Sequence, residues 1–153
     1  MRFEITARLN LHLDPDYLID KYGLGRGGRV QRYIDQAVID DTRPYVPASP
    51  DRTLEFSAQL STEIGSGLVV YNTPYAHYQN EGIVYGPNIP IHDGEVLVGF
   101  FSPPGRRKYP TDRELTYDTA QNPLAGPHFF ERSKADNCKK WVEGANRVAK
   151  QGE

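Results

Sequence analysis

The chain has 153 residues, which corresponds to one domain and is long enough to bury a core without disulfides or metals. Its 18 Lys and Arg residues nearly balance its 20 Asp and Glu residues, which argues against a dedicated nucleic-acid binder. No apolar run approaches the roughly 20 residues of a membrane span, and the single cysteine, Cys138, excludes an intramolecular disulfide and a cysteine-based zinc site.

The first part of the chain predicts one strand and two helices. Residues 3–13 alternate between apolar and polar side chains, which is typical of a strand with one buried face. Asp14 before Pro15 has the pattern of a helix N-cap, so we predict a short helix over 15–22. The clearest helical periodicity covers 29–42. The predicted core stripe of that helix consists of Val30, Tyr33, Ile34, Ala37 and Val38.

The middle of the chain predicts a hairpin. Residues 53–64 alternate again, 65–67 form a glycine-rich turn, and 68–72 return as the second strand. We expect the core stripe of the preceding helix to pack on the sheet face that carries three residues of this hairpin. These are Leu54, Phe56 and Leu60.

The last third predicts a second hairpin and a terminal helix. Residues 96–101 are expected to pair with 114–117, with a proline-rich polar tip over 103–113. The final helix is predicted over 129–150. Its expected apolar side consists of Phe130, Cys138, Trp141, Val142, Ala145, Val148 and Ala149.

The sequence Gly23-x-Gly25-x-x-Gly28 has the spacing of a dinucleotide-binding loop. That mechanism requires a buried strand just before the loop, whereas residues 17–22 have the pattern of an amphipathic helix. A link between two helices is therefore the favoured interpretation, and a small nucleotide-dependent enzyme is the alternative. Arg26 and Arg29 lie near the electropositive start of a helix, so we expect an acidic group of this chain, a neighbouring subunit or a phosphate to face them.

Two pairs of side chains at helical spacing are candidates for a metal site, His77 with Glu81 and His128 with Glu131. A metal site needs three or four converging ligands, so His92-Asp93 would have to join from a loop. A structural role is the favoured interpretation of these histidines, and a metal-dependent enzyme is the alternative.

The candidates for nucleophilic or acid–base catalysis are equally weak. Ser66 lies in a predicted turn rather than in a strand-to-helix elbow, and Cys138 has the position of a small apolar residue. Asp40-Asp41 is expected to end a solvated helix face. The sequence therefore predicts no catalytic residue, no cofactor and no metal.

The predicted tip over 103–113 is locally basic and stiffened by proline. A solvated loop is one interpretation, and a docking loop for an acidic surface or a phosphate backbone is the other. Together with the two arginines of the glycine loop, its basic residues form the predicted assembly surface. The full set is Arg26, Arg29, Arg106, Arg107, Lys108 and Arg113.

Four stretches, in this order, resemble the minor capsid protein family of tailed bacteriophages, which is encoded between head and tail genes. They are Gly27-Gly28-Arg29-Val30-Gln31-Arg32-Tyr33-Ile34-Asp35, Arg43-Pro44-Tyr45-Val46-Pro47, Val70-Tyr71-Asn72-x-Pro74-Tyr75-Ala76-x-Tyr78-Gln79-x-x-Gly82 and Asn122-Pro123-Leu124-Ala125-Gly126-Pro127-His128-Phe129-Phe130-Glu131-Arg132-x-Lys134-Ala135. The stretch 86–120 matches this family least.

The resemblance implies an α+β fold in which a small twisted antiparallel sheet packs against a long helix and a C-terminal helix, with long loops. Residues 1–153 would form a single head–tail connector-like domain with a hairpin protruding at about 96–117. The implied function is that of a structural virion protein without catalytic residues, assembled in the host bacterial cytoplasm. It would form a homo-oligomeric neck ring, on a six-fold or twelve-fold axis, that joins the head connector to the tail.

The expected partners are other copies of the chain, portal-side connector proteins and tail proteins. A loose contact with the genome in the channel is expected, and a membrane contact is not. A tail-completion protein that caps the tail tube is the alternative within this class. A host-interacting or nucleic-acid-binding module that uses the 103–113 tip, and the enzymes named above, are the alternatives from other classes.

Overall fold

The computed structural model describes residues 14–151, which form an α+β fold, as expected. In chain order its elements are α1 (Pro15–Tyr22), α2 (Arg29–Thr42), a 3-10 turn (Arg43–Tyr45), α3 (Thr53–Ser61), α4 (Ala76–Glu81), β1 (Ile83–Gly86), β2 (Ile89–Asp93), β3 (Val96–Phe101), β4 (Tyr109–Glu114) and α5 (Phe129–Lys150). The strand predicted over 3–13 lies outside the described residues.

Local sequence signals set the ends of α1. The Asp14 side chain accepts a hydrogen bond from the Asp16 amide at 3.0 Å, and Pro15 occupies the first turn, where its missing N–H costs nothing. Gly23 ends the helix in the left-handed conformation, with φ of 64°. The predicted cap, start and end of this helix are confirmed.

Helix α2 packs against α5, and not against a sheet as the sequence predicted. Of its predicted stripe, Val30 and Val38 are buried, and the other three residues are half-buried. Gly144 of α5 faces Tyr33 so closely that a Cβ atom there would lie 1.8 Å from the Tyr33 hydroxyl oxygen. The two helices therefore approach each other where one of them has no side chain.

Residues 53–61 form helix α3, so the strand predicted for this segment is wrong. Leu54 and Ala58 are buried at helical spacing, whereas Phe56 is exposed and Leu60 is 86% exposed. The alternation of these residues has the period of a strand, but on a helix Leu54 and Ala58 share one face, and that is the face the core buries. The sheet face on which the α2 stripe was expected to pack does not exist.

The buried apolar core lies where the 3-10 turn, α3 and the start of α5 meet. Its cluster consists of Tyr45, Val46, Leu54 and Phe129. The ring of Tyr71 packs edge-on against Phe129, with 5.0 Å between ring centroids. Burial, together with the charge of Glu55, raises the pKa of Tyr71 to about 12, so this phenol stays neutral inside the fold.

The helix α5 has the predicted bounds, but its buried side differs from the predicted one. Phe129 and Trp141 are buried, whereas Val142 and Cys138 are exposed. The interpretation of Cys138 as a buried apolar residue is therefore wrong, because the face that meets α2 is shifted toward Ser133 and Gly144.

The strands form two antiparallel pairs, β1 with β4 and β2 with β3. Residues 96–101 are a strand, as predicted, but they pair with Ile89–Asp93 across a turn at Gly94 and not with 114–117. The basic segment therefore links β3 to β4 and is not the tip of the hairpin.

Candidate assembly surface

Residues 83–114, which we call the arm, leave the helical part of the fold through β1 and return through β4. The pair is held by backbone pairing and by the Thr111 hydroxyl, which donates a hydrogen bond to the Val84 carbonyl oxygen at 2.6 Å. Just beyond the pair, the Leu115 amide donates to the carbonyl oxygen of Gly82 at 2.8 Å.

Aromatic packing fixes the base of the arm on α4. The Tyr85 ring of β1 lies 4.7 Å from the Tyr78 ring and 6.2 Å from His77, measured between ring centroids. Tilted and edge-to-face contacts at these distances are favourable beyond the area that they bury. The arm therefore has a defined origin on the helical part of the fold.

The far half of the arm, the β2–β3 hairpin, exposes apolar side chains on both faces. All five residues of β2 are exposed, and so are all residues of β3 except Gly99. Its exposed large apolar residues are Ile89, Ile91, Val96, Leu97, Val98, Phe100 and Phe101. Contiguous apolar surface of this kind marks interaction sites in soluble proteins.

The predicted basic residues of the arm have separate surroundings. Lys108 is held by the fold, because its ammonium group donates to the Pro87 carbonyl oxygen at 2.6 Å and to Asn88 Oδ1 at 3.0 Å. Arg107 lies over the Tyr109 ring at 5.5 Å. Arg106 and Arg113 are exposed and form no ion pair with another described residue.

The two arginines of the glycine loop have opposite roles. Arg26 is exposed and lies 4.0 Å from Glu63, which is also exposed. The guanidinium of Arg29 donates to the carbonyl oxygens of Val148 at 3.1 Å and Ala149 at 2.9 Å, and also to that of Lys21. Carbonyl oxygens at the ends of α5 and α1 therefore face Arg29, so no acidic group of this chain is needed to offset its charge.

A second apolar surface is a groove of about 650 Å³ between α2, α4, α5 and the segment before α4. Side chains that line it include Ile34, Val38, Leu68, Tyr71, Phe130 and Trp141. Lys134 and Asp35 are among its charged residues. Asp35 is buried and accepts hydrogen bonds from the amides of Gly65 and Gly67 at 2.7 and 3.1 Å. Lys134 is exposed and forms no ion pair with another described residue.

Residues 68–72 form one wall of the groove and have no regular secondary structure, so the strand predicted for this segment is wrong. The Leu68 amide bonds to Ser66 Oγ at 3.2 Å and the Val70 amide bonds to Thr62 Oγ1 at 3.0 Å. No described group accepts a hydrogen bond from the amides of Val69 or Tyr71. Ser66 is thus a turn residue that supports this segment.

The metal-site candidates do not converge. His77 lies 3.9 Å from Glu81, and within residues 14–151 no group of three or more His, Cys, Asp or Glu side chains could hold a metal ion. Asp41, expected at a solvated helix end, instead accepts hydrogen bonds from Lys140 Nζ at 2.6 Å and Trp141 Nε1 at 2.8 Å. It joins α2 to α5, and its hydrogen bond raises the pKa of Lys140.

Comparison with known proteins found no matching family model, no matching curated protein and no matching solved structure. Within residues 14–151, no helix has both the length and the apolar content needed to cross a membrane. The sequence analysis named only basic residues as the candidate assembly surface and did not include the apolar side chains of the arm. Asp93-Gly94 between alternating apolar residues is the hairpin signal that could have located it.

Proposed function

We propose that this chain is a structural subunit of the neck of a tailed bacteriophage, where copies of it form a ring that joins the head connector to the tail. The observation that supports this most is the β2–β3 hairpin, which holds seven large apolar side chains in solvent. A two-stranded hairpin is only marginally stable alone, so such a surface favours a protein that is completed by its neighbours.

The resemblance of four stretches to minor capsid proteins supports the phage assignment. In this proposal the chain has no catalytic activity, assembles in the host cytoplasm and resides in the virion neck. Arg26, Arg106 and Arg113 remain available to orient contacts with neighbouring proteins or with the genome, since exposed charges contribute more to steering than to affinity.

Light scattering on the purified chain, followed by class averages from electron micrographs, tests the ring. We expect closed rings of one size, and a monomer at all concentrations would contradict the proposal. Incubation of the rings with phage heads and with isolated tail tubes then tests their place. Binding to heads supports a neck protein, whereas binding to tail tubes alone would assign the chain to tail completion instead.

A further inference from the structure

We propose that the β2–β3 hairpin of one copy occupies the groove of the next copy, where one hairpin edge pairs with the backbone of segment 68–72. This inference rests on the proposed assembly role, and it names the two surfaces that meet. In the described fold the groove has backbone amides without a partner, and the hairpin has strand edges and apolar side chains without a neighbour. Each surface therefore supplies what the other lacks.

The wall of the groove has backbone amides without a partner. Residues 68–72 have no regular secondary structure. The amides of Leu68 and Val70 are bonded to side chains of their own chain, whereas those of Val69 and Tyr71 have no described partner. An incoming strand edge supplies the carbonyl oxygens that these amides need.

The hairpin lacks a neighbour on both of its edges. β2 and β3 pair only with each other among the described strands, so the outer backbone groups of each are open to pairing. Exposed edges are usually protected by lysine, proline or a bulge. Here β2 contains Pro90, which has no amide to donate, whereas β3 contains no proline. The register irregularity lies in β3, where Val98 has no partner opposite Ile91 and His92. Because β3 keeps every backbone amide, its edge is the one that we expect to pair.

The apolar areas are of the size that a stable contact needs. At roughly 100 Å² of exposed surface each, about half of what a large aromatic side chain can bury, the seven apolar side chains of the hairpin offer on the order of 700 Å². A standard interface buries about 800 Å² on each partner. The groove, at about 650 Å³, is large enough to take several of these side chains.

Charge also favours this pairing over contact between two hairpins. The hairpin turn contains Asp93 and Glu95, and neither forms an ion pair with another described residue. Lys134 is the exposed cation at the groove. A hairpin in the groove brings opposite charges together, whereas two hairpin tips side by side repel each other.

The occupant is a second copy because the hairpin of the same chain does not line its own groove. The two surfaces lie on different parts of the molecule, so the contact is heterologous and continues from copy to copy. Such a contact closes into a ring when the rotation between neighbours is a simple fraction of a full turn, and otherwise produces a filament.

Cysteine crosslinking tests this contact on the full chain. The exposed Cys138 is first changed to Ser, and single-cysteine variants Leu97→Cys in the hairpin and Leu68→Cys in the groove wall are then prepared. Both native side chains are about half or more exposed, so we expect the variants to fold. The control for the groove variant is Val142→Cys, which is exposed on α5 and does not line the groove.

We expect oxidation of a Leu97→Cys and Leu68→Cys mixture to give at least five times more crosslinked dimer than either variant alone or a mixture with the control. Strong crosslinking of Leu97→Cys alone would show hairpin-to-hairpin contact and overturn the inference. Crosslinks that appear only after deletion of residues 1–13 would also overturn it, since that segment would then occupy the groove. Rings without the expected crosslink would refute this contact but not the proposed function, whereas a monomer without crosslinks would refute both.

Discussion

Replacement of Arg29 by Ala separates a structural role of this side chain from the interface role that the sequence suggested. The guanidinium donates to three carbonyl oxygens at the ends of α5 and α1, and its side chain lies against Gly23. A hydrogen bond from a charged donor contributes about 1.5–3 kcal/mol, and a cation at a helix C-terminus contributes about 0.3–1 kcal/mol more. Because Arg29 is half-buried and its bonds share one cation, we expect Arg29→Ala to cost about 2–3 kcal/mol in total.

The assay is thermal and urea unfolding of the purified chain. For a chain of this length, 1 kcal/mol corresponds to about 2–4 °C in the unfolding midpoint, so Arg29→Ala should melt about 5–10 °C lower. The matched control is Arg26→Ala from the same loop, whose ion pair at 4.0 Å is exposed and should contribute nothing measurable. Arg29→Lys keeps the charge but loses the forked donor, so we expect an intermediate midpoint.

The result that would refute this reasoning is an Arg29→Ala protein with an unchanged midpoint. If that protein also failed to form rings, the interface interpretation would stand in place of the structural one. Unchanged stability with normal assembly would show that the three hydrogen bonds contribute neither to folding nor to association.

Four further predictions follow from particular contacts. Gly144→Ala should gain about 0.5–1 kcal/mol of stability from helix propensity. It should lose more in packing, because the new Cβ atom would lie 1.8 Å from the Tyr33 hydroxyl oxygen. We expect a net loss of about 1–3 kcal/mol in urea unfolding, and a gain would contradict the packing of α2 on α5. Asp41→Ala leaves the indole N–H of Trp141 unpaired and should cost about 1–3 kcal/mol in the same assay. The control is Asp40→Ala, which removes an exposed ion pair with Arg43 and an exposed hydrogen bond from Gln36 and should change stability by less than about 0.5 kcal/mol. Burial raises the pKa of Tyr71 from 10.0 to about 12, so between these pH values the folded chain keeps a proton that the unfolded chain loses. The unfolding free energy should therefore be unaffected by this group below pH 10 and should fall by up to about 2–3 kcal/mol between pH 10 and 12. Tyr71→Phe should reduce that fall. Lys108→Ser should speed hydrogen exchange at the Asn88 amide and its neighbours without moving the unfolding midpoint. Arg106→Ser should change neither, and equal exchange in both variants would show that Lys108 does not hold this part of the arm.

Three helices could be predicted from the sequence because their signals are local. Asp14 with Pro15 marks the start of α1, and α2 and α5 each contain several turns of one apolar periodicity. The short helix α3 was missed, although Asp51 precedes it and accepts a hydrogen bond from the Thr53 amide at 3.4 Å. Its apolar residues alternate with the period of a strand, and the helix leaves Phe56 and Leu60 exposed while the core buries Leu54.

The arm could not be predicted in full because its pairing is non-local. β1 pairs with β4 across more than twenty residues, and nothing in either segment specifies the other. The Asp93-Gly94 turn is a local signal, but Ile89-Pro90-Ile91 contains a proline, which weakens the case for a strand. The result was a correct strand at 96–101 with the wrong partner.

The structure also changes which residues should dominate assembly. Of the six basic residues predicted for the interface, Arg29 and Lys108 are occupied by carbonyl oxygens of their own chain. Exposed ion pairs contribute only about 0–1 kcal/mol each, so the remaining cations cannot hold a ring together by themselves. Burial of about 700 Å² of apolar surface at about 25 cal/mol per Å² has a gross favourable free energy of roughly 17 kcal/mol. The costs of association are about 4–15 kcal/mol or more, so the apolar hairpin reaches the scale of those costs, whereas the exposed charges do not. Changes in the hairpin should therefore alter whether copies associate, whereas changes at Arg26, Arg106 or Arg113 should alter how fast they meet and how strongly salt slows them.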